Sequence, residues 1–140
     1  MNTNKRITSA DLGLLILRLG IGLLMFLHGY HKFVHGHDFI IKVLTEKGLP
    51  EFLWVGVPVA EVLAPLLIIF GVFTRISSAL VVVVMAFSIY LAFGANAFVL
   101  TQHGGFTAEF NISFIFSGLA LMLLGPGKLS LYKPSNPYLQ

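Results

Sequence analysis

Four long apolar stretches separated by short polar breaks fill most of the chain. The first runs from about Leu12 to Phe33, and its apolar part, Leu12 to Leu27, is interrupted only by Arg18. The second, about Phe52 to Phe73, holds one charge, Glu61, between Pro58 and Pro65. The third, about Ile76 to Val99, has no charge. The fourth, about Phe106 to Leu124, carries Glu109 and Asn111 near its start and stops at Gly125-Pro126-Gly127, residues that break helices. Each approaches the roughly 20 residues a helix needs to cross about 30 Å of hydrocarbon. β-Branched runs such as Val81 to Val84 do not argue for strands. In lipid every backbone amide must be paired within its own segment, and the alternation of barrel strands is missing. The pattern predicts an all-α fold: an integral membrane four-helix bundle, with residues 1–140 as one domain.

The breaks differ in kind. Between the first two spans, Asp38 to Lys47 places Phe39, Ile40, Val43 and Leu44 on one helical face with charges between them, and Gly48 and Pro50 follow as stops. This predicts a short amphipathic helix at the membrane surface. The second break is little more than Thr74-Arg75, and the third, Thr101 to Gly105, is polar and glycine-rich.

Composition sharpens the membrane reading. Hydrophobic residues make up 56% of the chain and charged residues 11%, where a soluble domain carries about 25% charged. The net charge of +3 reads as the lysine and arginine bias of membrane loops, and nucleic acid is not an expected partner. With no cysteine, disulfides, thiolate metal sites and cysteine-held iron–sulfur clusters are excluded. Lys5 and Arg6 precede an apolar segment as in a signal peptide, but Arg18 and the spans that follow favour a retained first helix. Four spans put Lys5, Arg6, Arg75, Lys128 and Lys133 on one side, against Lys32, Lys42 and Lys47 on the other. Both termini are therefore expected in the cytoplasm. The membrane expected is of the bacterial inner type, which the charge asymmetry does not itself give.

Candidate chemistry rests on polar residues inside apolar spans. Arg18 and Glu61 each lie near the middle of a span, where a lone charge costs about 2.5–3.5 kcal/mol, so the two are expected to meet inside the bundle. A fixed ion pair is the structural alternative to a polar binding pocket. At about 100° per residue, Arg18 shares a face with Asp11, Gly22, Gly29 and Lys32, and glycines there admit a close neighbour. Lys32 read alone is an interfacial lysine reaching for water. Pro65 has no amide hydrogen, which frees the Glu61 carbonyl and leaves an acceptor cluster beside a carboxylate. His28, His31, His35, His37 and His103 gather at the outer ends of spans one and three without a metal-binding signature, so no metal site is expected. A haem held by His28 and His103 is not favoured. Glu109, Ser113 and Ser117 share one face of the fourth span, and Phe106, Phe110 and Phe114 form an aromatic stripe at the same spacing. That stripe suits packing or lipid, with a quinone site as the alternative.

Leu17-Arg18-Leu19-Gly20 with Gly22, His28-Gly29-Tyr30-His31-Lys32-Phe33, Gly48-Leu49-Pro50, Glu61, Gly71-Val72-Phe73-Thr74-Arg75 and Gly125-Pro126-Gly127-Lys128-Leu129-Ser130-Leu131 follow in order along nearly the whole chain. Together they resemble the DoxX family of small membrane proteins. The resemblance implies a four-helix membrane bundle and a connection to respiratory or redox complexes, since relatives include a quinone-linked thiosulfate-oxidising subunit. It marks Arg18, His28, Gly29, Lys32 and Glu61 as motif positions.

The function expected is that of a membrane subunit of a redox system, a quinone-linked oxidoreductase acting on a small solute. Arg18, His28, Lys32, His103, Glu109 and Asn111 would bind, and Glu61 would relay a proton, because quinone chemistry couples proton to electron transfer. No cofactor is assigned, with quinone as the candidate, and the expected partners are the lipid bilayer and a redox partner subunit. Two other classes stand beside this: a small-solute transporter, which with four short helices would need a homo-oligomer, and a non-catalytic membrane assembly or lipid-binding factor.

Overall fold

In the computed structural model, which describes residues 6–35, 37–132, 134 and 136, Thr8 opens the first helix. Its amide and hydroxyl donate to Asp11 Oδ2 at 2.8 and 2.6 Å, and the Asp11 amide returns a bond to Thr8 Oγ1 at 3.3 Å. This reciprocal cap satisfies amides that the first turn leaves free. It starts α1 (Ser9–His35) in the polar sequence ahead of the apolar run, earlier than hydropathy alone places it. The amphipathic α2 (Asp38–Glu46) follows as expected. Gly48, at φ 68°, ends it, with the Leu49 amide reaching back to the Leu44 carbonyl at 2.9 Å.

The next two rods are longer and less regular. α3 (Glu51–Phe70) passes from a 3₁₀ turn through a π turn, Val59–Leu63, into regular helix at Ala64–Phe70. The π turn sits where Pro65 withholds an amide, so the local ladder loosens. α3 stops at Phe70, short of Phe73, because Gly71 adopts φ 69° and lets the Val72 amide bond the Leu67 carbonyl at 2.8 Å. α4 (Thr74–Phe98) also carries a π turn, Ile89–Phe93, near its C-terminal end.

After α4 the chain folds back on itself. Leu100 and Phe106 form an isolated antiparallel bridge, the one β pairing among the described residues. The expected fourth span therefore loses Phe106, whose ring packs edge-on against Phe98 at 5.9 Å instead of joining Phe110 and Phe114 on a helix. α5 (Glu109–Leu124) is apolar but only 16 residues long, about 24 Å at 1.5 Å per residue. So α1, α3 and α4 are long and apolar enough to cross a membrane, while α5 is shorter than a full crossing.

α1 and α3 pack antiparallel through glycines, and the register can be read from what a Cβ would strike: Ile69 and the Pro65 carbonyl at Gly22, Glu61 at Gly29, Arg18 at Gly71. α4 and α5 meet at Gly118, where a Cβ would lie 2.8 Å from Val82 Cγ2 and 3.3 Å from the Ser78 carbonyl oxygen. Met25, Ala64, Ile68, Val81, Met85 and Leu121 fill the centre.

Candidate functional site

Glu61 projects from the π turn of α3 and is 1% exposed. Its Oε1 accepts from Lys32 Nζ at 2.8 Å, and Lys32, in the last turn of α1, is 31% exposed. The backbone makes this approach close. A Cβ at Gly29 would lie 2.6 Å from the carbonyl carbon and from the Cβ of Glu61, so only glycine fits there. Buried charges persist where they are paired, and the lysine also complements the negative end of the α1 dipole. The second carboxylate oxygen, Oε2, is buried and has no hydrogen-bond partner among the described residues.

Lys32 and Glu61 form the polar side of a cavity of about 130 Å³. Its other walls are apolar or aromatic, among them Phe39, Val43, Val84, Phe87 and Leu91, with Ser88 the one further polar residue. Both π turns contribute, Glu61 from one and Leu91 and Ala92 from the other. The amphipathic helix covers it: Phe39, Ile40 and Val43 of α2 line the cavity, and Leu44 is buried at 1% exposure. α2 is pinned at both ends, by the His37 ring stacked on Trp54 at 3.9 Å and by Lys47 Nζ 5.3 Å from the Tyr90 ring centre.

Arg18 does not reach this cavity. The expected meeting of Arg18 and Glu61 is corrected by the structure, in which each has another partner. Arg18 Nη2 donates to the Leu129 carbonyl at 2.5 Å, and its guanidinium presses on Gly71. The cause is the antiparallel register. Moving from Gly29, opposite Glu61, back to Arg18 covers about 16 Å of helix, at 1.5 Å per residue, toward the other end of α3. Arg18 Nε and Nη1 are buried and without partners among the described residues.

That far end is organised by the segment after α5. Asp11 Oδ1 accepts the Lys128 amide at 3.0 Å, and Asp11 Oδ2 lies 3.3 Å from Lys128 Nζ. The Leu131 amide bonds the Phe70 carbonyl at 3.0 Å. Arg75 Nη1 donates to the Met122 and Leu123 carbonyls at 2.7 and 2.8 Å, closing the C-terminus of α5. The helical face that Asp11 shares with Arg18 gives it no role of its own. The Thr8-to-Asp11 spacing is the readable sign of its capping role.

The remaining candidates are spread out. The His28 ring lies 5.2 Å from that of Phe110. His103 is exposed in the turn after α4, and Glu109 is exposed at the start of α5. Asn111 is buried, its Nδ2 3.6 Å from Met85 Sδ. No group of three or more potential metal ligands occurs among the described residues. The pocket-lining role of α2, and Gly29 as the seat of Glu61, were not legible in the sequence.

The family model described as DoxX matches residues 13–94, more than half of the chain, a stretch that includes Arg18, His28, Lys32 and Glu61. The chain is 29% identical over 123 residues to a protein of Bacillus subtilis (strain 168) called Putative oxidoreductase CatD, covering 88% of this chain and 87% of that one. No solved structure matches it.

Proposed function

The chain belongs to the DoxX family, and on that premise we propose that this integral membrane protein serves a redox system, with the Lys32–Glu61 cavity as its binding site. The carrying observation is the buried carboxylate: paired on one oxygen, unpartnered among the described residues on the other, and part of a residue that lines a cavity walled by apolar groups. A fold does not retain an unsatisfied buried acceptor without cost, and perturbed or orphaned groups in clefts point to function. The size supports one aromatic ring, since an engineered cavity of about 150 Å³ holds benzene. The relative's name, an oxidoreductase, agrees with this reading.

The ligand is a small oxidisable solute, which gives up two electrons and two protons. A bilayer quinone is the acceptor that supplies the two-electron sink. This chain's own residues bind and orient the ring, exclude water and hold a proton at Glu61 Oε2, with Lys32 stabilising the carboxylate between transfers. Arg18 supports the fold at the opposite end. Arg6, Arg75 and Lys128 lie at that end, where Lys128 Nζ donates to the Arg6 carbonyl at 2.9 Å, so this face is the cytoplasmic one and the cavity lies toward the outside of a bacterial-type inner membrane. Lys5 and Lys133, counted with them in the sequence, lie outside the described residues.

The test is quinone reduction by added hydroquinone in membrane vesicles holding the chain or its Glu61→Gln variant at matched amounts. The parent should accelerate reduction and the variant should lose about 10²-fold or more of that rate, the scale of a general acid–base contribution. Equal rates in vesicles with and without the protein would end the redox reading.

A further inference from the structure

Resting on that pocket reading, we propose that the cavity selects a neutral single ring bearing a hydroxyl, and so takes the reduced form of an oxidisable ring in preference to its carbonyl form. The selection follows from what the two polar residues leave unsatisfied. Ionised against Lys32, Glu61 Oε2 can only accept a hydrogen bond; it is buried and has no donor among the described residues. Lys32 Nζ spends one proton on Glu61 Oε1 at 2.8 Å and has others to give. One hydroxyl answers both, its O–H donating to Oε2 while its oxygen accepts from the lysine. A quinone carbonyl answers only the lysine and turns lone pairs toward the carboxylate.

Charge narrows the class further. The Lys32–Glu61 pair is net neutral, so an anion or a cation entering beside it finds no net opposite charge to offset the loss of its hydration and the repulsion of the like-charged partner. A neutral molecule meets neither penalty. The walls, with Phe39 and Phe87 among them, match a ring face, and about 130 Å³ leaves room for one ring. Phe39 lines the cavity while 68% exposed on α2, which places the entrance beside that helix.

A hydrogen bond to a charged acceptor is worth one to two powers of ten in affinity. If the reduced ring binds about tenfold tighter than the oxidised one, binding raises the midpoint potential of that two-electron couple by about 30 mV.

The full chain in lipid nanodiscs is titrated by fluorine NMR with 4-fluorophenol, 4-fluorotoluene and 4-fluoroanisole. Each is referenced to its partition into protein-free nanodiscs. The first donates, the second copies its shape with a methyl group, and the third only accepts. The expected result is saturable binding of the phenol at least about tenfold tighter than either other probe. In Glu61→Gln that margin should shrink to within about threefold, as a neutral acceptor replaces a charged one. Ala92→Trp, which fills the cavity, should abolish saturation. A margin under tenfold in the parent, with saturation still blocked by Ala92→Trp, would overturn the donor selection and leave the pocket reading intact. No saturable binding of any probe would overturn both. The comparison among probes needs only the parent chain, so a variant that misfolds does not remove the test.

Discussion

Glycine decides where Glu61 sits. Gly29 and Gly20 lie on the same helix, yet a Cβ at Gly29 would press into Glu61 whereas one at Gly20 would meet nothing within 4 Å. Gly29→Ala should destabilise by about 1–3 kcal/mol through overpacking, while Gly20→Ala should stay within about 1 kcal/mol of the parent. Unfolding in mixed detergent would read both, and equal effects would refute the close packing of α1 on Glu61. The ion pair makes a second prediction at this scale. Lys32→Met strands a buried carboxylate and should cost about 3 kcal/mol, toward the low end for breaking such a pair because Lys32 is 31% exposed. Adding Glu61→Leu should recover most of that loss. A double variant no better than the single one would mean that the two charges are not coupled.

At the scale of elements, α2 and the segment after α5 are opposite cases of how a short piece is held. α2 rests on one buried side chain, Leu44, and two ring contacts at its ends. Leu44→Ala should remove about 2–5 kcal/mol of local packing. Hydrogen exchange should then quicken over residues 38–46 while the central turns of α1 and α4 stay protected. Exchange rising evenly throughout would show that α2 is not a separate cover. The segment after α5 is held by polar bonds, to Asp11, Arg18 and Phe70. Asp11→Ala removes both the cap on Thr8 and the acceptor for the Lys128 amide, and should cost about 2 kcal/mol. Faster trypsin cleavage after Lys128 would report it. An unchanged cleavage rate would show that Asp11 does not secure this segment.

For the whole molecule, orientation follows from where charge gathers. Arg6, Arg75 and Lys128 share the end opposite the Lys32–Glu61 cavity. A fluorescent reporter that folds only in the cytoplasm, fused after Gln140, should be bright, and a phosphatase active only outside should be silent there. The reverse pattern would put the cavity on the cytoplasmic side. α5 bears on this, because a helix of 16 residues crosses only if the bilayer thins or flanking residues complete the passage.

Helix content, the three long apolar rods and the amphipathic α2 were legible without coordinates, because apolar length and the 3.6-residue period are properties of consecutive residues. So were Glu61 as a charge inside an apolar span and Pro65 as a break beside it. Partnership was not legible. Arg18 and Glu61 looked matched because each sits near the middle of its span, but the match depends on how far one helix slides along the other. That slide is set by Gly22, Gly29 and Gly71 finding room against particular neighbours on distant elements. The same holds for the cavity, whose walls come from α1, α2, α3 and α4, and for Phe106, which backbone pairing with Leu100 draws out of the helical stripe its spacing suggested. Local order is written in residues a few places apart. The pairing of Lys32 with Glu61 arises from register between rods, which only the packed tertiary structure decides.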